Sequence, residues 1–298
     1  MIRTLFVSSV AATAVAGSAC AVSVGHEGYV ERVDKRFAVT APVADVRLTT
    51  FDGAIEVRSW DRPEVLVQVE MRGNDKEAVA KIEINTAQKN GAIEVETRNT
   101  AKGRFVGIGY YVSSSAKLIA SVPRNSNLTI RTSDGNVVVE RVTGRADIHS
   151  GDGSIRLTET TGDLLAETTD GNIQLDEVAG RLEIRTNDGS IRLSGTPSRL
   201  RVRSDDGSVA LRIRDGATMT DDWMVDTGDG PISLELPDGF AAEIEADPGS
   251  DGRVRNDLVL ANVTGGTRDK RILKGTLGSG GKRLVIHTGD GTIHLTRY

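Results

Sequence analysis

Five aspartates, Asp134, Asp152, Asp170, Asp188 and Asp206, each stand immediately before a glycine and recur at a constant interval along the chain. Carboxylates repeated in this way could hold a hard cation, since Ca²⁺ takes carboxylate and carbonyl oxygens as ligands. The glycine-rich nonapeptide of calcium-binding β-rolls is absent from the chain. The pattern therefore points first to turn chemistry, with each Asp accepting a hydrogen bond from a backbone N–H two residues on. A polar column at Asn136, Ser154, Asn172, Ser190 and Ser208 would assist. Two residues before each Asp stands a hydroxyl: Thr132, Ser150, Thr168, Thr186 or Ser204. A flat ladder of hydroxyls can match an ice lattice, but one side chain per repeat is too narrow for that. Hydroxyls bonding their own backbone at a corner are the expectation.

Basic residues gather elsewhere in the repeat. Arg181, Arg185, Arg199, Arg201 and Arg203 alternate along predicted strands, with Arg145, Asp163 and Glu183 beside them. Opposite charges on neighbouring strands are ordinary cross-strand support. The local excess of guanidinium makes this stretch a candidate surface for anionic envelope polymers or lipid headgroups. Catalysis finds less support. His26, His149, His287 and His294 lack metal-ligand spacing, and the chain carries no nucleophile elbow, phosphate loop or zinc helix motif. No catalytic residue, metal or cofactor is assigned. A lyase or glycosidase on a β-helix is the alternative to a non-enzymatic interaction or scaffold module, but glycosidase chemistry needs two carboxylates at a set separation. A third reading is an envelope-stress component that binds a protein partner.

The repeat itself must position these residues. Counting from each Asp, positions +3 and +5 are Val137/Val139, Ile155/Leu157, Ile173/Leu175, Ile191/Leu193 and Val209/Leu211. Positions +12 and +14 are Ala146/Ile148, Leu164/Ala166, Leu182/Ile184 and Leu200/Val202. Polar residues lie between, which is the period-two signature of strands buried on one face. Each unit thus predicts two short strands, one turn at Asp-Gly and another ending in Gly144, Gly162, Gly180 or Gly216. One unit cannot stand alone, because its few aliphatics do not offset the entropy of ordering its backbone. Stacked units would hydrogen-bond to one another about 4.8 Å apart. The predicted fold is all-β, a β-solenoid with 18-residue coils in the centre and looser coils at both ends. Glycine at the corner is expected to supply a positive φ. An antiparallel β-sandwich or meander is the alternative, since Asp-Gly is also a hairpin dipeptide.

The same grammar continues with insertions. "FDGAIEV" at Asp52, "KNGAIEV" at Asn90, "GDGPISL" at Asp229 and "GDGTIHL" at Asp290 read as looser coils, the last of them closing the structure. "GNDKEAVAKIEIN" predicts one short helix. Residues 1–21 have the layout of a signal peptide: Arg3, an apolar stretch from Leu5 to Ala16, then small residues. Ala19-Cys20-Ala21 fits a cleavage site that leaves Val22 first, and the alternative is a lipoprotein acylated on Cys20. Beyond this leader, residues 22–40 read as a linker or first edge strand and 41–130 as an irregular N-terminal β part. Residues 131–216 hold the regular repeats and 217–298 the irregular C-terminal coils. With 33 glycines, 4% aromatics and a net charge of −5, the chain suits many turns and a thin core and offers nothing for nucleic acid. Export to the periplasm, outer membrane or cell surface is the expectation, with membrane association only through a lipid anchor. The partner is not legible.

Together these features resemble the DUF4097 family, an adhesin-like group of unknown function. The resemblance rests on "LTTFDGAIEVRSWDRPEVLVQVEMRG", "SAKLIASVPRNSNLTIRTSDGNVVV" and "PDGFAAEIEADPGSDGRV" followed by "KRLVIHTGDGTIHL". It runs from about Ala41 to the C-terminus. It implies a β-solenoid exposed at the bacterial envelope, with adhesion a suggested role and envelope stress an association. It brings no catalytic residues.

Overall fold

The computed structural model describes residues 28–100, 114–266 and 271–298, and the backbone of residues 20–25. Most of the predicted leader, the Cys20 side chain and His26 lie outside the described residues. The first hairpin is β1 (Cys20–Gly25) with β2 (Gly28–Ala38), and β3 (Ala44–Thr50) with β4 (Ile55–Trp60) makes the first coil. An excursion follows through β5 (Glu64–Gly73), α1 (Lys76–Val79), β6 (Ile82–Lys89), β7 (Ala92–Asn99) and β8 (Ser114–Pro123). The central coils comprise β9 (Ser126–Thr132), β10 (Val137–Glu140), β11 (Thr143–Ser150), β12 (Ile155–Thr158) and β13 (Thr161–Thr168). They continue in β14 (Ile173–Thr186), β15 (Ile191–Ser204) and β16 (Val209–Ile213). The C-terminal part holds β17 (Trp223–Thr227), β18 (Ile232–Leu236), β19 (Ala242–Asp247), β20 (Arg253–Asn256), β21 (Leu260–Thr264) and β22 (Leu273–Leu277). It ends in β23 (Arg283–Thr288) and β24 (Thr292–Arg297).

The fold is all-β and solenoidal. Every central strand pairs in parallel with its equivalent in the next coil, Val137 with Ile155, Ile155 with Ile173, and Ile148 with Ala166. Parallel pairing at constant register excludes the antiparallel meander for this region, because a hairpin would reverse every second strand. One wall of the solenoid runs β8–β4–β10–β12–β14–β15–β16–β18–β24. The opposite wall runs β7–β3–β9–β11–β13–β14–β15–β17–β23. Strands β14 and β15 turn from one wall to the other, with register shifts at the corner. The aliphatics at +3, +5, +12 and +14 fill the space between the walls, all of them buried.

Two features of the Asp-Gly corner differ from expectation. The glycines of the central coils do not lie at positive φ; Gly135, Gly153, Gly171, Gly189 and Gly207 are absent from that region of the backbone map. They are glycine because a Cβ would overlap the carbonyl of the equivalent glycine one coil below, Gly171 for Gly189 and Gly189 for Gly207. Positive φ is used instead at the second corner, by Arg141, Glu159 and Glu177 at φ 57, 50 and 54° and by Gly144, Gly162 and Gly180 at φ 146, 138 and 108°. Nor do the Asp carboxylates make the turn's hydrogen bonds. The buried hydroxyl two residues earlier does so. Thr186 Oγ1 accepts from Gly189 N–H at 3.2 Å and donates to Gly171 O at 3.1 Å. Ser150 and Ser204 repeat the pattern, and Thr227 and Thr288 repeat the donation to the neighbouring coil. Buried in this way, the ladder offers no face to ice.

The ends depart from chain order. "KNGAIEV" is no coil: Asn90 and Gly91, both at positive φ, form a hairpin turn between antiparallel β6 and β7. The predicted helix is α1, capped by the Asp75 side chain accepting from Ala78 N–H at 2.8 Å. The last coil, β23 and β24, does not close the solenoid. It slots between β17/β18 on one side and β19/β20 on the other, so β20 and the antiparallel pair β22–β21 lie beyond it. Where a longer loop follows β16, the core widens and takes the ring pair Trp223 and Phe240, with centroids 5.5 Å apart.

Two substitutions separate these constraints. Gly189→Ala should lower stability by about 1–3 kcal/mol through overpacking against Gly171, although its φ suits alanine. Thr186→Val should cost about 1–3 kcal/mol by stranding a buried donor and acceptor, while Thr186→Ser should cost far less. Thermal unfolding followed by circular dichroism reads both.

Candidate functional site

The outward residues of β11, β13, β14 and β15 form three columns set by strand register. They read Arg145, Asp163, Arg181, Arg199; then Asp147, Leu165, Glu183, Arg201; then His149, Glu167, Arg185, Arg203. Opposite charges meet along much of this face. Arg181 grips Asp163 through two hydrogen bonds of 2.7 and 3.0 Å. Arg131 reaches Asp147 at 3.1 Å, and His149 lies between Asp147 at 3.1 Å and Glu167 at 2.7 Å. Arg185 pairs with Glu183 on its own strand, and Arg203 with Asp205 at 3.4 Å.

The step from β14 to β15 breaks the rule. There Arg181 stands directly opposite Arg199, and Arg185 directly opposite Arg203, with Glu183 opposite Arg201 between them. Like charges facing each other across a strand pair are destabilising. Arg199 is relieved on one side by Asp221 at 2.7 Å, but its Nε is buried without a hydrogen-bond partner. Two shallow depressions flank this rung. One of about 360 Å³ is lined by Arg145, Asp163, Arg181, Glu183, Arg199 and Arg201. The other, about 340 Å³, is lined by His149, Glu167, Arg185, Arg203 and Asp205. Six arginines less four carboxylates give these linings a charge of +2 with His149 neutral, on a chain whose net charge is −5.

The five predicted arginines are thus brought together. Asp221 was hidden from the sequence pattern, because the loop before β17 lengthens the step at that point, pairing Val202 with Val225. The Asp column behaves differently. All five carboxylates are exposed along one corner, and among the described residues no three His, Cys, Asp or Glu side chains form a cluster that could hold a metal ion. His287 and His294 each face a single carboxylate, Asp247 at 3.8 Å and Asp257 at 3.2 Å. The column does extend beyond the regular repeat, to Asp52 at one end and to Asp229 and Asp290 at the other. Partial desolvation and then the neighbouring Asp134 carboxylate push Asp52 above the ordinary aspartate range.

Parallel coils, an interior of aliphatic side chains joined by Trp223 and Phe240, and a mixed-charge outer wall define a β-solenoid. The family profile of Toastrack DUF4097 matches residues 44–296, and the chain belongs to that family. Solved structures similar to it include a "putative adhesin" from Bacteroides fragilis, 12% identical, covering 89% of this chain and 96% of that one at a TM-score of 0.42. Another, a "putative adhesin" from Parabacteroides merdae, is 10% identical and covers 89% and 95% at a TM-score of 0.44. A "putative lipid binding protein" from Parabacteroides distasonis is 12% identical and covers 90% and 96% at a TM-score of 0.40. No curated protein matches the chain.

The Asp52 carboxyl gives a pH-dependent prediction. With its folded value raised, the folded state holds this proton more tightly than the unfolded state, so ionisation costs stability as pH rises from the ordinary range through the raised value. Asp52→Asn should raise Tm at neutral pH. The gain should vanish below a pH of about 3.9, where the unfolded carboxyl is also protonated. Differential scanning calorimetry across pH checks the sign.

Proposed function

We propose that the chain is an exported, non-enzymatic, adhesin-like binding module that engages an anionic ligand through the outer face of β11, β13, β14 and β15. The observation that carries this reading is the like-charge rung. Arg181 opposite Arg199 and Arg185 opposite Arg203 cost stability in the free protein, and an anion seated between each pair would offset that repulsion. Guanidinium offers several donors in a fixed fork, and the existing ion pairs use only part of them. Exposed ion pairs of this kind contribute little, so a ligand can replace them. The leader-like layout of residues 1–21 supports delivery to the periplasm, outer membrane or cell surface. Cleavage after Ala21 would leave a soluble chain beginning within β1, whereas acylation of Cys20 would tether the solenoid at the first residue of that strand.

The test uses heparin, a polyanion bearing sulfates and carboxylates, with binding read by calorimetry and its salt dependence. The triple variant Arg199→Ser, Arg201→Ser, Arg203→Ser should weaken binding about tenfold or more, since a hydrogen bond to a charged group contributes about 1.5–3 kcal/mol. Its Tm at low salt should change little, because the loss of two like-charge contacts offsets the loss of the exposed Arg199–Asp221 and Arg203–Asp205 pairs. Unchanged heparin affinity in a folded variant overturns the proposal.

A further inference from the structure

The arrangement along β14 and β15 carries more than a general affinity for anions. Read along the strands, the rungs are Arg181/Arg199, then Glu183/Arg201, then Arg185/Arg203. Two doubly cationic rungs therefore bracket one of zero net charge. The outer rungs lie about 13 Å apart at the usual strand rise. Each outer rung borders its own depression, Arg181/Arg199 the first and Arg185/Arg203 the second. The middle rung presents both an acceptor, Glu183, and donors on Arg201, which has no ion-pair partner among the described residues.

From this geometry we infer that the ligand is an extended acidic glycan lying along β14 and β15, its anionic groups spaced apart by neutral, hydroxyl-bearing sugar. This rests on the anion-binding reading above and deepens it. Each outer rung acts as a clamp on one carboxylate or sulfate, whose two oxygens match the guanidinium fork. Between the clamps, sugar hydroxyls donate to Glu183 and accept from Arg201. A chain with an anion at every unit, such as polyphosphate, places charge against Glu183 and has no hydroxyl to offer it. A bilayer presents an unbroken anionic plane, which the Asp163 and Glu183 carboxylates interleaved among the arginines disfavour.

Hyaluronan fragments test this, because uronate alternates with a neutral amino sugar along their length. Affinities of the disaccharide, tetrasaccharide and hexasaccharide are measured by calorimetry on the wild-type protein. Linking two anions makes the second contact intramolecular, so the tetrasaccharide or hexasaccharide should bind about tenfold or more tighter than the disaccharide. Removing either clamp, by Arg181→Ser with Arg199→Ser or by Arg185→Ser with Arg203→Ser, should return the longer fragments to the disaccharide level. The disaccharide itself should lose only about twofold, since one of two independent clamps remains. Equal affinity for all lengths overturns the two-clamp inference and leaves a single-anion face standing. Tighter binding of polyphosphate or of phosphatidylglycerol vesicles than of the hexasaccharide overturns the glycan assignment. Absence of binding to heparin and to every other anion tested overturns both this inference and the function it rests on.

Discussion

At the Asp-Gly corner each coil rests its glycine on the glycine carbonyl of the coil below, closer than any side chain would permit. The hydroxyl beside it ties the two levels together, accepting from its own turn and donating to the one beneath. This contact sets the register of both walls. A coil that slipped by one residue would present polar side chains to the interior and lose the hydroxyl's partner at the same moment. The close approach therefore explains why the turn is repeated so faithfully when the carboxylate beside it makes none of the turn's bonds and stays exposed.

Register held this tightly converts sequence period into surface pattern. Each outward residue stands over its equivalent in the next coil, so charge along the chain becomes charge along a column. Most columns alternate in sign, which supports the wall and discourages association through it. The exception at β14 and β15 is local, and one acidic residue in each of the two rungs would have avoided it. Asp163, Glu183, Asp205 and Asp221 offset that repulsion only from beside the two rungs, and a local rule broken in this way is the physical mark of a surface site.

The irregular ends serve a different need. A solenoid leaves two open edges, and here chain excursions cover them: β1, β2 and β5 with antiparallel pairing at one end, β21 and β22 at the other. At the first end Glu70 lies buried between Arg32 and Arg72, at 2.7 and 2.6 Å. Burial alone would raise its carboxyl, but the two guanidinium hydrogen bonds outweigh that and hold it below the ordinary range. The edge is thus fastened by charge where the aliphatic interior gives out.

The sequence by itself determined the coil length, the four inward positions, the hydroxyl column and the arginine cluster, because each is a matter of spacing within one repeat. Spacing also implied stacking, since one unit has too little interior to stand alone. It misled about the corner glycine, whose necessity comes from a neighbour in the adjacent coil rather than from its own φ. Only the tertiary structure decided that β3 lies under β9, on the far side of the whole β5–β8 excursion, with Val46 paired to Leu128. Likewise it alone placed β23 over β17, with Trp223 paired to Leu284 although five strands intervene in the chain, and put Asp221 against Arg199. Those pairings follow from how long excursions fold back, and no local period records where a chain returns.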